Sequence, residues 1–243
     1  MGKIIKPPYF DSVVNAGEKR LLDFLQIKLP DNYFLIPNVE IASTNPRNNR
    51  TQFWEYDLVV VAPHAIYNIE NKDWKGRIEG ADDYWYVNDR QKPNPLKTNR
   101  QKTAILASKL KEANRNYGKA WIDNIVTLSY PNSFQPIMWE KAADMTFTLS
   151  DKLVKHITDP EQVGKWEDAI VEVQDDIVQF LIGEQNKKSP DQKKEVQGYE
   201  IVEILKQESD NYVEYLVKPK NITSNIRKRV KEYALQESIA SIL

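Results

Sequence analysis

The chain contains no cysteine. Disulfide staples and thiolate zinc sites are therefore excluded, and a reducing compartment is compatible with the composition. His64 and His156 are the whole stock of histidine, too little for a histidine-rich metal centre and scant material for Ser-His-Asp chemistry. An excess of one charge is also missing. The 34 basic and 35 acidic residues leave a formal net charge of −1, so any nucleic-acid binding must come from a local patch. No apolar run approaches the ~20 residues that a membrane helix needs. The N-terminus, Met-Gly-Lys-Ile-Ile-Lys-Pro-Pro, lacks the apolar core of a secretory signal. These absences indicate an intracellular, cytoplasmic protein with no membrane partner. What is present, 41% hydrophobic and 28% charged residues over a length of 243, is an ordinary globular composition. It allows one large domain, or a medium domain plus a fragment.

Residues 12–28 place Val13, Val14, Leu21, Leu22, Phe24, Leu25 and Ile27 near helical spacing, with Ser12 as candidate N-cap and Pro30 as the stop. Residues 33–41 read as a strand in which Pro37 argues for an edge or a bulge. Ser43 to Gln52 is polar and contains Asn-Pro, a loop signature. Phe53 to Ala62 and Ala65 to Asn71 are apolar runs joined at Pro63-His64, a hairpin. A second hairpin over 77–88 turns near Gly80 to Asp83, and a long helix follows Pro93 and Pro95 to about Asn116. Strands over 122–130 and 144–149, a short helix over 151–156 and an amphipathic helix over 164–182 complete a first domain, residues 1–182. The polar stretch 183–197 reads as a linker. Beyond it, 198–243 holds two strands, 199–205 and 212–217, and a helix over 235–243. So small a unit either packs on the first domain or begins a further one.

The chemistry concentrates in the central hairpin. Asp57 lies on its first strand, and Glu70 and Lys72 lie two residues apart on its second. The strand period of two puts Glu70 and Lys72 on one face. Two carboxylates and a lysine are the minimum kit for metal-assisted hydrolysis of a phosphodiester: hard oxygens hold the cation and the lysine orients water or meets developing charge. The bland alternative is a solvated Glu–Lys pair contributing little. The flanking residues are apolar, so charges ending these runs need a partner or a metal.

Four stretches in order carry a resemblance: Gly17-Glu18-Lys19 with Leu21, Leu22 and Leu25; Glu55-Tyr56-Asp57-Leu58-Val59-Val60; Ile69-Glu70-Asn71-Lys72; and Trp74-Lys75-Gly76-Arg77-Ile78. Over roughly residues 12–130 the chain resembles the nuclease-related domain (NERD) family, a branch of the restriction-endonuclease-like fold. The resemblance implies an α/β (α+β) fold, a mixed sheet flanked by helices. It maps the family's D…E-x-K pattern onto Asp57, Glu70 and Lys72, and a helical acid onto Glu18. Asp57, Glu70 and Glu18 would hold Mg²⁺ (or Mn²⁺), DNA would be cut, and a homo-oligomer is the common way such enzymes cut two strands. A first-turn acid favoured by the helix dipole explains Glu18 equally well. Gln101 is the candidate for a helical glutamine of related folds, and a plain exposed helix residue is its alternative.

Residues 90–111 carry Arg90, Lys92, Lys97, Arg100, Lys102, Lys109 and Lys111 and no acid. They could hold a phosphate backbone by counterion release, or form a solvated helix face. Lys97, Arg100 and Lys102 are the named candidates, with Trp74 as a base-stacking aromatic beside Tyr84, Trp85 and Tyr86. Filling the sheet is the commoner use of such aromatics. His64 reads as a polar turn residue, and His156 has no assignment. The tail from Gly198 to Leu205 with Val213 to Tyr215 resembles the opening strands of a protein-kinase-like domain, with Arg229-Val230-Lys231 as a third strand or a basic helix start. The glycines that would cradle phosphate are replaced by Lys206, Glu208 and Asn211. The family's occurrence beside kinase-like domains in bacterial antiviral systems implies a front part of a longer, or shortened, protein of that kind. Two other readings stay open: a nucleic-acid-binding or sensing module without catalysis, and an interaction scaffold.

Overall fold

The computed structural model describes residues 1–7, 15–45, 50–132, 134–185, 195–196, 199–208, 212–219 and 228–233. In chain order the first unit contains β1 (Lys3–Ile4), α1 (Ala16–Lys28), β2 (Phe34–Asn45), β3 (Arg50–Val61), β4 (Ile66–Lys72), β5 (Ile78–Gly80), β6 (Trp85–Val87), β7 (Arg90–Lys92), α2 (Pro95–Ala113), β8 (Ile122–Leu128), β9 (Ile137–Met138), α3 (Glu140–Met145), β10 (Thr146–Thr148), α4 (Asp151–Thr158) and α5 (Gln174–Gln185). The chain divides into two compact units, residues 1–187 and 188–243.

A six-stranded mixed sheet in the order β1-β2-β3-β4-β8-β10 forms the spine of the first unit. β2, β3 and β4 run antiparallel, whereas β8 and β10 continue parallel to β4. Alternation in the strands gives each sheet face its own core. On one face Leu58, Val60, Tyr67 and Ile69 meet Leu21, Leu22 and Leu25 of α1 and Leu153 and Ile157 of α4. On the other, Val59, Val61 and Ile66 meet Leu106 and Leu110 of α2 and Ile177 and Leu181 of α5. The result is the mixed, helix-flanked α+β architecture expected. A small second sheet, β7-β6-β5-β9, packs Ile78, Trp85 and Val87 against Leu96, Val126 and Leu128.

The central hairpin forms as the sequence indicates, β3 and β4 turning at Pro63-His64 with Ala62 N–H donating to Ala65 O at 2.9 Å. The second hairpin, β5–β6, also forms. Four expectations are corrected. α1 starts at Ala16 with Asn15 as its cap, not at Ser12; residues 12–14 lie outside the described residues. The polar stretch 43–52 is not all loop, because β2 runs to Asn45 and β3 starts at Arg50, with Thr44 and Thr51 hydroxyls 3.0 Å apart; residues 46–49 lie outside the described residues. The helix expected over 164–182 begins only at Gln174 and runs to Gln185, three residues into the expected linker. Gly164 in the left-handed region and the bond from Ile170 N–H to Pro63 O hold the preceding stretch in turns instead. His64 sits at the turn as expected, but as a buried residue rather than a polar surface one: it is 1% exposed, its Nε2 2.8 Å from the Tyr67 hydroxyl.

The second unit is an antiparallel meander of β11 (Glu195–Val196), β12 (Tyr199–Glu208), β13 (Tyr212–Pro219) and β14 (Lys228–Tyr233). The segment around Arg229 and Lys231 is thus a strand, paired with β13, rather than a helix start. Tyr215 and Val217 are its buried centre. The helix expected over 235–243 lies outside the described residues.

Candidate active site

The site lies where β3 and β4 leave one another. β3 and β4 pair from Val61–Ile66 to Leu58–Ile69, and one further step of that register sets Asp57 opposite Glu70. Asp57 also falls at an interruption in the β2–β3 ladder, which runs from Pro37–Leu58 to Val39–Tyr56 and skips Asn38 and Asp57. Asn38 has a positive φ of 51°. Across this point both strands lose one beat of their in–out alternation, since Ile36 and Val39, and likewise Tyr56 and Val59, face the same core. Such irregularities re-aim a side chain. The bulge that Pro37 suggested does not form there, because Pro37–Leu58 and Val39–Tyr56 keep one register with no extra residue on either strand.

Asp57 Oδ2 accepts the Asn71 N–H at 2.7 Å. Its other oxygen accepts no hydrogen bond among the described residues. Glu70 is held on both sides: Lys72 Nζ lies 2.6 Å from Oε1 and Lys102 Nζ 2.6 Å from Oε2. Glu18 arrives from the first turn of α1, where Asn15 accepts the Glu18 N–H at 3.0 Å and donates its amide to the carboxylate at 2.5 Å. Asn15 thus caps the helix and also holds the Glu18 carboxylate through its side-chain amide. Glu18 still senses the charges of Asp57 and Lys72. Gly17 makes that approach possible, because a Cβ there would stand 2.6 Å from Asp73 Cβ and 2.8 Å from Ser129 Oγ.

The electrostatics separate the three acids. Burial, then the Glu70 charge, pushes the Asp57 carboxyl up to about 6, against the pull of Lys102, the Asn71 N–H and Lys72. Burial, then Asp57, pushes Glu18 up to about 7. Burial also works to raise Glu70, but Lys102 and Lys72 together outweigh it and hold that carboxyl below its ordinary range. Three carboxylates thus meet two ammonium groups, one positive charge short of balance. Among the described residues no group of three or more His, Asp or Glu stands ready-made to hold a metal ion. The free Asp57 oxygen and the uncompensated pair Asp57–Glu18 nevertheless fit a hard divalent cation in both donor chemistry and charge.

Lys102 is the residue that sequence reasoning misplaced. It does not stand outward with Lys97 and Arg100, which are exposed; its side chain is only 12% exposed and points at Glu70. α2 is locked in this register by buried polar contacts. Asn99 donates to the Asn68 and Ile125 carbonyls at 2.9 and 3.0 Å, Asn68 donates to the Thr103 hydroxyl at 2.9 Å, and the Tyr56 hydroxyl donates to the Lys102 carbonyl at 2.8 Å. A signal existed: Asn99 and Thr103 extend the buried stripe of Leu106 and Leu110 at helical spacing, and Lys102 lies beside them. Gln101 is exposed. Trp74 is half-buried and stacks edge-on against Trp85 at 5.9 Å, filling the small sheet's core. His156 contacts Asp123 at 2.7 Å, at the opposite end of β8 from this site.

The fold and site define an α+β protein whose acid–lysine centre lies at the carboxyl ends of parallel strands, the edge where α/β sheets receive ligands. The family is more particular: residues 14–129 match the model of the nuclease-related domain, NERD, and this segment is a nuclease-related domain. No curated protein and no solved structure matches the chain. The matched segment contains Glu18, Asp57, Glu70, Lys72 and Lys102, and its family points to a nuclease-related function with nucleic acid as the partner. Among the described residues no helix is long and apolar enough to cross a membrane.

Proposed function

We propose that the chain is a metal-dependent nuclease that hydrolyses DNA phosphodiester bonds at Asp57, Glu70 and Lys72, with Glu18 assisting. The observation that carries this reading is the charge imbalance: half-buried Asp57 raises half-buried Glu18 and is itself raised by a Glu70 that two lysines keep ionised. Asp57, Glu70 and Glu18 would hold Mg²⁺ or Mn²⁺. When bound, such a cation polarises the phosphoryl oxygen and lowers the pKa of its water. The Asn71 N–H fixes one oxygen of Asp57, so that the other is presented to the site. Glu70 holds the Lys72 ammonium in place, and Lys72 orients the attacking water or meets charge developing on the phosphate. Lys102 braces the far side of Glu70. Lys97 and Arg100, exposed on the same helix, hold the DNA backbone without reading its sequence.

The test is cleavage of plasmid and oligonucleotide DNA with Mg²⁺, Mn²⁺ or EDTA, by the parent, Asp57→Ala and Lys72→Ala. Metal-dependent cutting by the parent and none by the folded variants is expected. Equal cutting by all three refutes the assignment. A second reading has one observation in its favour. The two lysines already compensate Glu70 without any cation, as suits a module that binds or senses nucleic acid and reports to an attached kinase-like unit. Salt-sensitive gel-shift binding that ignores chelator, with no cleavage, would select it.

A further inference from the structure

A cavity of about 240 Å³ opens beside α1, at the carboxyl ends of β8 and β10. Arg20, Ser129, Tyr130, Asn132, Gln135 and Thr148 supply polar lining. It borders the acid–lysine centre through two contacts. The Ser129 N–H donates to the Lys72 carbonyl at 3.1 Å. Gly17, the neighbour of Glu18, would bring a Cβ within 2.8 Å of Ser129 Oγ.

Two features of the cavity are unexplained by the fold. Ser129 is 3% exposed, and its hydroxyl has no hydrogen-bond partner among the described residues; a buried hydroxyl left unpaired is costly. The Tyr130 ring carries two cations, the Arg20 guanidinium at 5.9 Å and Lys75 Nζ at 6.0 Å from its centroid. Arg20 gives Nε to the Ser129 carbonyl at 3.1 Å and one terminal nitrogen to Asp73. Lys75 has no ion-pair partner among the described residues. Asn132 is spent on the loop after β4, accepting from Gly76 N–H and donating to the Trp74 carbonyl at 2.6 and 2.7 Å. The cavity is therefore lined by the Tyr130 ring and by Ser129, whose hydroxyl is unpaired among the described residues, and Lys75 reaches the same ring without lining the cavity.

We propose that this cavity is a nucleotide subsite: it takes the nucleoside unit of a nucleic-acid strand next to the phosphodiester attacked at the acid–lysine centre. The inference rests on the nuclease reading for its second half only. The base stacks on Tyr130, its polar edge meets Ser129 Oγ and Gln135, and the adjoining phosphate faces Lys75 and the free guanidinium nitrogen of Arg20. Base–aromatic stacking tolerates any sequence. The cavity is smaller than the ~300–1,000 Å³ of drug-sized sites, which suits one nucleoside. A base lodged there has left its duplex stack, so the subsite selects single strands or frayed ends over intact duplex.

The test is fluorescence anisotropy with the full chain, a labelled 12-nucleotide single strand and its duplex, in EDTA. The single strand binds more tightly than the duplex. Tyr130→Ala weakens single-strand binding roughly tenfold. Ser129→Ala weakens it several-fold while its melting temperature holds or rises, since an unpaired hydroxyl has been removed. Lys75→Ala weakens binding and lowers the salt slope by about one phosphate contact. Unchanged binding by Tyr130→Ala and Ser129→Ala, no binding by the parent, or competition by dAMP at concentrations equal to the strand each overturns the strand subsite. If the variants weaken binding but the parent never cleaves with Mg²⁺ or Mn²⁺, the subsite stands and the nuclease reading falls.

Discussion

β4 and β8 carry buried polar groups at both ends, and the two ends behave differently. At the amino-terminal end His64 and Tyr67 are 2.8 Å apart, the Tyr67 hydroxyl donates to the His156 carbonyl at 3.3 Å, and His156 lies 2.7 Å from Asp123. Each group there has a partner, and burial lowers the His64 pKa as expected for a neutral buried ring. At the carboxyl end Glu70 raises Asp57, Asp57 raises Glu18, and one Asp57 oxygen has no donor among the described residues. Satisfied polar networks hold a fold together. Uncompensated charge of this kind persists only where something else has selected it, which is why perturbed acids mark candidate sites. Composition alone would have favoured the wrong end, because both histidines lie in the satisfied one.

The largest effect that would sharpen this contrast is catalytic. Lys72→Ala should reduce metal-dependent cleavage by about 10²–10³-fold, the usual cost of losing one group aimed at developing charge. Its melting temperature should change less than that of Lys102→Ala, because Lys72 is the more exposed of Glu70's partners, at 27% against 12%. Lys102→Ala strips a buried carboxylate of its better-shielded ammonium and should cost about 2–3 kcal/mol, below the 3–5 of a fully orphaned charge because Lys72 remains. Chemical denaturation of both variants checks the order. If Lys72→Ala loses more stability and less activity than Lys102→Ala, the roles given to the two lysines are exchanged.

At the other end His156→Ala leaves buried Asp123 without its ring partner. Stability should fall by about 1–3 kcal/mol, or roughly 2–4 °C in Tm per kcal/mol for a domain of this size. DNA cleavage and binding should not change once the variant is folded. A specific loss of cleavage with an unchanged Tm would abolish the distinction between a structural and a functional end.

Much of this was legible in the sequence. Strand period, apolar flanks and a two-residue turn fix the β3–β4 hairpin and bring Asp57, Glu70 and Lys72 to one edge, because a buried register admits no slip. The Gly17-Glu18 start was legible as a motif, although its cap, Asn15, was not picked out. What escaped has a common cause: tertiary partners replaced the local pattern. Lys102 looked like one member of a basic run because only the contacts of Asn99, Thr103 and Tyr56 set its helical phase. Residues 164–173 carry helical spacing, yet Ile170 is anchored to Pro63 and Trp166 is left 86% exposed. The polar ends of β2 and β3 lacked any apolar alternation by which a strand could be recognised.

The smallest effect is the most discriminating. Asp57 and Glu18 bind protons more tightly in the folded chain than in the unfolded one, at about 6 and about 7 against 3.8 and 4.5. Protonation therefore favours folding; that contribution is complete below roughly pH 4 and lost as pH rises through 6 to 7. Glu70 runs the other way, its contribution being lost only as pH falls through its depressed pKa. Asp57→Asn keeps an oxygen for the Asn71 N–H and removes the repelling charge. In EDTA its Tm should exceed the parent's by a few degrees at pH 8, and the gap should close near pH 4. Mg²⁺ should then stabilise the parent by mass action and leave the variant nearly unmoved, because a ligand stabilises only the state that binds it. A parent that is already the more stable of the two at pH 8 without metal would mean that Asp57 is an ordinary satisfied carboxylate, and that the two ends of these strands do not differ in kind.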